Sequence, residues 1–353
     1  MDNRTSSSLG IWLKKGTGRA FNWLLDNNRA VKKLDDQEFS AEVEHNYRWN
    51  YVFNVLDGAT FWFGASFYSL TTIGPLFISK LTDNPVPLGI LAIISQAGWA
   101  FPQLFAANST ERFGRMKPLV VRLGFILERF PMFVMFLAAI IAIKSPLAAL
   151  LVFILGAAWH SIGAGVIAPA WQTMLARIIP VARRGRFMAF TMFLGAGTGL
   201  LGTQVSAWLL DTQPFPNSFI IIFLIAALFI NLSWVFIAFT REPIPARQAP
   251  EENNHQYMAS LKKIVRQDVN FRRFLISRGL SSLAGMGTGF VTVAAIQRWD
   301  VPDGTVGYYT MTMLIGQTVA NLLLGWLADK YGHKLVLELG TLGVTIGFAV
   351  AWL

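Results

Sequence analysis

The chain has 353 residues, of which 54% are hydrophobic and 14% charged, with 28 Phe and 12 Trp. Soluble domains carry about 25% charged residues, and a globule with this much apolar surface would expose large patches, so lipid must be part of its solvent. Ordinary soluble enzymes and nucleic-acid binders do not fit, and with no cysteine present neither do disulfide frameworks, zinc ribbons or thiol catalysis.

Residues 1–50 read as a polar cytoplasmic tail with no cleavable apolar core. The other reading is a helix lying on the anionic inner leaflet. Apolar stretches then fall at 51–79, 87–107, 118–143, 147–174, 187–210, 217–240, 271–296, 304–328 and 335–353. Each is long enough to cross a core about 30 Å thick. They predict an all-α membrane protein with nine transmembrane helices: six in a first half over 51–240, a polar linker over 241–270, and an incomplete second half over 271–353.

Charge placement orients this bundle. With the N-terminus inside, the cytoplasmic segments hold 8, 4, 4, 7 and 2 of the 30 basic residues, 25 in all. The opposite loops hold three: Lys80, Lys144 and Arg298; Arg129 and Arg278 fall within spans. By the positive-inside rule this predicts a cytoplasmic N-terminus and explains the net charge of +10 without nucleic acid. The linker cations Lys262, Lys263, Arg266, Arg272 and Arg273 read as an inner-leaflet anchor.

A shift of 218 residues lays Gly89 on Gly307, Gly98 on Gly316 and Gly114 on Gly332, and Glu111, Arg112 and Phe113 on Asp329, Lys330 and Tyr331. Matches at one offset, all between corresponding spans, point to a parallel duplication about an axis along the membrane normal. The run from Gly325 through Leu327, Ala328, Asp329 and Gly332 to His333 and Lys334 resembles the signature loop of the major facilitator superfamily, Gly-x-Leu-Ala-Asp-x-x-Gly-basic-basic. The first-half copy is degraded: Ala107, Ser109 and Thr110 replace Gly, Leu and Ala, Glu111 replaces Asp, and Arg112, Gly114, Arg115 and Lys117 keep the pattern. Residues 180–186 (PVARRGR) are similar to a third loop of that family.

The resemblance implies a bundle of two pseudo-symmetric halves with twelve spans, of which about nine are present, so the chain reads as C-terminally truncated. It also implies a secondary transporter that moves a small solute by rocker-switch alternating access, with the loop residues Gly325, Asp329, Gly332, His333, Lys334, Glu111, Arg112, Gly114 and Arg115 as a cytoplasmic gate. The physics of the loop stands by itself. Gly332 permits a sharp turn, and Asp329 can accept hydrogen bonds from the next helix's N-terminus or from an arginine. A simple topology-setting turn is the plainer reading.

Ionisable residues inside spans are costly and therefore candidate functional groups. Asp57, Glu128, Arg129 and His160 meet that test, and at about 1.5 Å per residue Asp57 and Glu128 both lie roughly 12 to 15 Å from the cytoplasmic face. They can share a cavity and serve proton coupling or substrate, or act as static partners to an arginine or a helix end. Glu128 and Arg129, about 100° apart on a helix, are not expected to form a simple pair. Where the family often carries an arginine before a Gly-x-Gly in the fourth span, this sequence has Trp159 and His160 before Gly163 and Gly165. Gln317 and Asn321 are further candidates, with Phe61, Trp62, Gln96 and Gln204 as cavity walls. The glycines at 195, 197, 199 and 202 read as close packing or bending points in the fifth span.

No metal or cofactor is expected, because the four His at 45, 160, 255 and 333 form no cluster of the kind a membrane enzyme needs. The expected partners are a small-molecule substrate, protons and the bilayer, with no nucleic acid, in a monomer of the cell (inner) membrane. A drug or metabolite exporter is slightly favoured by the aromatic content. A non-transporting sensor or lipid scramblase on the same fold is the alternative.

Overall fold

The computed structural model describes residues 33–111, 113–245 and 262–352. The first 32 residues of the expected tail, Arg112 and residues 246–261 of the expected linker lie outside the described residues. Among those described there is no strand, only an isolated bridge between Leu34 and Pro245.

Helix α1 (Asp36–Ala65) starts earlier than the hydropathy pattern suggests. Asp35 caps it by accepting from the Gln37 and Glu38 amides at 3.0 and 2.8 Å, and Asp36 and Glu38 suit the positive end of the helix dipole. Residues 36–50, expected in the tail, are thus its first turns. The chain then breaks over 66–72 and resumes as α2 (Ile73–Leu81), so the first expected span is two helices.

After α3 (Val86–Glu111) come two π-helical stretches, Leu119–Leu123 and Phe125–Arg129, which run into α4 (Pro131–Ile141). Helix α5 (Pro146–Ile178) is capped by Ser145, which accepts from the Ala148 amide, and opens with proline at its first position. Helices α6 (Arg184–Thr212) and α7 (Asn217–Ala238) complete this part. Beyond the linker, α8 (Val269–Gly285) and α9 (Thr288–Trp299) make a broken pair, followed by α10 (Thr305–Tyr331) and α11 (His333–Trp352).

Seven stretches among the described residues are long and apolar enough to cross a membrane: Val86–Ala107, Leu119–Ile141, Pro146–Ile178, Asn217–Ala238, Val269–Trp299, Thr305–Ala328 and Lys334–Ala351. Helices α1 and α6, counted among the nine expected spans, are not in that set. Helix α1 begins with a charged segment, and α6 is rich in glycine and hydroxyl residues.

The core lies in the first part of the chain. Helix α1 packs against both α6 and α7, α3 against α5, and α4 against α5 and α7. Phe77, Phe153, Phe219 and Phe223 are fully buried, with Phe77 centred 5.0, 5.0 and 5.3 Å from the other three rings. In lipid such contacts stabilise through close van der Waals packing rather than escape from water, which favours small residues at crossings. A Cβ at Gly163 would collide with the Leu127 carbonyl, and one at Gly195 with the Trp62 indole. Gly197, in contrast, meets nothing within 4 Å.

The second part is attached unevenly. No residue of α8 is buried, and none of the Lys334–Ala351 stretch. Its contacts run from α9 to α2 and α3, and from α10 to α6 and, less extensively, to α2.

Candidate functional site: an aromatic cavity with buried charges

A cavity of about 300 Å³ opens among α1, the π-helical stretch, α5 and α6, with Asp57, Glu128 and Arg129 in its lining. Asp57 is 6% exposed, on an otherwise apolar turn of α1. The Ser233 hydroxyl and the Arg129 and Glu128 charges lie within its electrostatic reach, yet its Oδ1 atom has no hydrogen-bond partner. Asn54 Oδ1 and Thr191 Oγ1, which belong to residues of the same lining, are also buried without a partner. Phe61, Trp62, Trp99 and Trp171 supply aromatic walls.

Arg129 and Glu128 form an ion pair in which both side chains are largely buried. This corrects the expectation that neighbours on a helix would point apart. The wide turn of the π-helix brings consecutive side chains closer in angle than an α-turn does, and both are long enough to bend together. Arg129 also sits over the Phe61 ring, 5.4 Å from its centroid.

His160 is engaged at both ring nitrogens. Its Nδ1 lies 2.8 Å from the Glu128 carbonyl, which can only accept, so Nδ1 carries the proton. Nε2 then accepts from the Tyr68 hydroxyl at 3.0 Å. This neutral tautomer ties α5 to the π-helical stretch and to the turn after α1, and His160 is absent from the cavity lining.

A second cluster sits where the N-terminal half of α1 meets the ends of α5 and α7, and its centre is not among the expected site residues. Glu242 has a fully buried side chain. Its carboxylate accepts from the Met116 amide at 2.9 and 3.0 Å, from the Lys117 amide at 2.7 Å and from Arg177 Nη1 at 3.1 Å. Arg177 Nη1 also donates to the carbonyl of Gly114 at 2.9 Å. The loop at Gly114 and Arg115 is thereby clamped to the ends of α5 and α7. Asn46, Asn50 and Asn54, one turn apart on α1, extend the clamp: the Asn50 amide group exchanges two hydrogen bonds with the Arg241 backbone at 2.9 and 2.8 Å, and Asn54 Nδ2 donates to Thr240 Oγ1 at 3.1 Å. Burial lowers the pKa of Lys117, the Arg115 charge lowers it further, and Glu242 partly offsets both. The Asn-x-x-x-Asn-x-x-x-Asn spacing is a legible signal of a buried polar stripe; nothing in the sequence singles out Glu242.

At the opposite end of the bundle the two parts of the chain meet. Lys80 Nζ pairs with Asp303 at 2.7 Å, Asp211 accepts from the Gly304 amide at 2.9 Å, and the hydroxyls of Thr72 and Thr310 lie 2.7 Å apart. Gly307 packs so tightly on Ala207 that no Cβ would fit there.

The expected gate residues are placed as follows. Gly332 turns between α10 and α11 with φ of 88°, a conformation that favours glycine. Lys334 approaches Glu338 at 3.7 Å, with both side chains exposed. Gly325 and Asp329 lie in α10, Glu111 ends α3 and His333 begins α11, and their side chains lie outside the description. Gln317 and Asn321, one turn apart on α10, are exposed and do not line the first-half cavity.

The architecture is that of a helical membrane carrier. The family model of the Major Facilitator Superfamily matches residues 56–353, and the chain belongs to that superfamily. None of the curated proteins matches it. Among solved structures it is similar to a D-xylose-proton symporter, at 13% identity and a TM-score of 0.51 over 81% of this chain and 70% of that one. It also aligns, at 13% identity and a TM-score of 0.37, with the inward-open xylose transporter of E. coli over 80% of this chain and 69% of that one. The first of these likenesses shows the fold. The protein is therefore a multi-pass membrane transporter, not an enzyme.

Proposed function

We propose that the protein is a proton-coupled secondary transporter that moves a small solute by rocking two halves about a central cavity. In this reading residues 51–240 make the first half with six spans and 271–353 supply three spans of the second, joined by the linker at 241–270. The Glu242 end faces the cytoplasm of a cell (inner) membrane and the Lys80 end faces outward. The exporter direction is the favoured one, on aromatic content.

The observation that carries the reading is the one-ended joint between the halves. An ion pair, a carboxylate–amide hydrogen bond and tight glycine contacts gather at the Lys80 end, while α8 and α11 stay unburied. A bundle closed outward and loose inward is one of the two states that alternating access requires. Asp57 is the coupling group in this reading, Glu128 and Arg129 set its surroundings, and the loops at Gly114–Arg115 and Asp329–Lys334 form the inner gate.

A chain without cysteine permits a direct test. The Thr310→Cys variant, altered at a position 6% exposed, is offered a membrane-impermeant maleimide from the outer side of oriented vesicles. Partial modification, abolished when Thr72→Cys is added and the pair is oxidised, is the expected result. A Thr310→Cys variant that is never modified in any imposed pH gradient would rule out an outward-open state and with it this mechanism.

A further inference from the structure

We propose that the Asp57 cavity takes a monovalent organic cation with an apolar or aromatic body, which displaces a proton from Asp57. This deepens the transport reading and rests on it.

Charge balance is the first argument. Glu128 and Arg129 neutralise each other in a buried pair, which leaves the Asp57 carboxyl as the unbalanced charge of the cavity. The elements packed on α1 offer it no other countercharge. Helix α6 has no charged residue between Phe187 and Leu210, and α7 has none between Asn217 and Ala238. On α5 the nearest titratable group is His160, whose two ring nitrogens are taken up by Tyr68 and the Glu128 carbonyl and which does not line the cavity. A lone carboxylate at this depth must be balanced by a proton or by a cation. An anionic solute would add a second like charge and is disfavoured.

Hydrogen-bonding capacity is the second argument. The lining's buried atoms without a hydrogen-bond partner are the acceptors Asp57 Oδ1 and Asn54 Oδ1, the Thr191 hydroxyl, and Nε and Nη1 of the ion-paired Arg129. At the Asp57 side the amide oxygen only accepts, and so does the carboxylate once ionised, so the partner missing from Asp57 and Asn54 is a donor. An ammonium supplies up to three donors and the charge together. The walls fit the rest of such a molecule: Phe61, Trp62, Trp99 and Trp171 offer ring faces to a cation, and Phe61 already carries the Arg129 guanidinium. A cavity of about 300 Å³ lies at the small end of ligand sites and suits one or two rings. A polyhydroxylated solute would need many more paired polar groups than this lining holds.

The exchange balances without a further reactant. A protonated Asp57 meets the ammonium, the carboxyl O–H bond breaks, the proton leaves to solvent, and an ammonium–carboxylate pair remains. Proton and substrate therefore exclude each other at one group.

The test is binding of a matched series to the purified full chain in detergent, read by indole fluorescence and calorimetry: phenethylamine as its ammonium, 2-phenylethanol, and phenylacetate. The ammonium is expected to bind at least about tenfold more tightly than the alcohol, phenylacetate not at all, and ammonium binding in weakly buffered solution to release protons. Asp57→Asn brings the ammonium down to the level of the alcohol and ends proton release, whereas Asp57→Glu keeps the preference. Should Asp57→Asn not fold, Thr191→Val, expected to weaken the ammonium severalfold and the alcohol less, serves in its place. Equal or tighter binding of the alcohol or phenylacetate, a preference that survives Asp57→Asn, an equal loss for both ligands in Thr191→Val, or no binding of the ammonium overturns the cation assignment. The maleimide labelling at position 310 is independent of these probes, so a failed substrate class is distinguishable from a failed transport reading.

Discussion

Two buried carboxylates of this bundle, Glu242 and Asp57, are treated in opposite ways. Glu242 is saturated: two backbone amides and Arg177 bind its oxygens, and it fastens the loop at Gly114 to the ends of α5 and α7. Asp57 keeps one oxygen without a partner, in a cavity where the Asn54 amide oxygen, the Thr191 hydroxyl and Arg129 N–H groups are unpartnered too. Burial by itself thus says little about role in a membrane protein. The difference lies in whether the surrounding chain completes the hydrogen bonding or leaves it for something else to complete, at an energetic cost that a purely structural residue would not sustain.

That contrast can be broken first at Glu242. Glu242→Ala leaves Arg177 and two amides without their acceptor and is expected to cost about 3–5 kcal/mol, the range for breaking one side of a buried ion pair. Chemical unfolding in detergent reads it. Should Asp57→Asn prove equally damaging, the contrast fails.

His160 lies between the two extremes. It is satisfied on both nitrogens, so His160→Phe should destabilise by about 1–3 kcal/mol through the stranded Tyr68 hydroxyl and Glu128 carbonyl. Proton-driven flux in the surviving protein should persist.

Asp57→Asn sharpens the comparison from the other side. It replaces a carboxyl whose Oδ1 the fold leaves without a partner, so stability should move by no more than about 1 kcal/mol, while flux driven by a pH gradient in proteoliposomes disappears. Unchanged flux would remove Asp57 from the coupling role.

Smaller still is the effect of Lys80→Ala. Its pair with Asp303 is partly exposed and worth about 0–1 kcal/mol. Its readout is increased outer-side labelling of the Thr310→Cys variant rather than a changed unfolding midpoint.

Lys117 gives the smallest effect. Its folded pKa lies below the free lysine value of 10.5. Over the alkaline window below 10.5 the unfolded chain therefore holds more protons than the folded one, and stability rises with pH there. Lys117→Gln should flatten that rise.

Part of this is legible in the sequence for physical reasons. Asp57 and Glu128 stand out because a charge inside an apolar run has few explanations, and helical rise alone puts them at similar depth; one cavity does hold both. Gly332 announces its turn through the loop motif. Glu242 stays hidden because it follows the sixth apolar run in polar chain, where a glutamate is unremarkable, and because its partners lie more than 60 residues away. The π-helical turns before Arg129 leave no trace in hydropathy, so the ion pair with Glu128 runs against the sequence expectation. The interruption at 66–72 escapes detection for a related reason: Phe67, Tyr68 and Leu70 keep the run apolar while its backbone stops being helical.

The joint at the Lys80 end also has a mechanical meaning. Helix α10 is 27 residues long, a rod of about 40 Å at 1.5 Å per residue, pinned near its start by Thr310 and Gly307. A rod of that length acts as a lever: a tilt of about 10° at the pinned end sweeps its tip through roughly 7 Å. In the proposed transport cycle, a small tilt about the contacts at Ala207 and Thr72 would therefore be magnified into an opening wide enough to admit a solute at the far side.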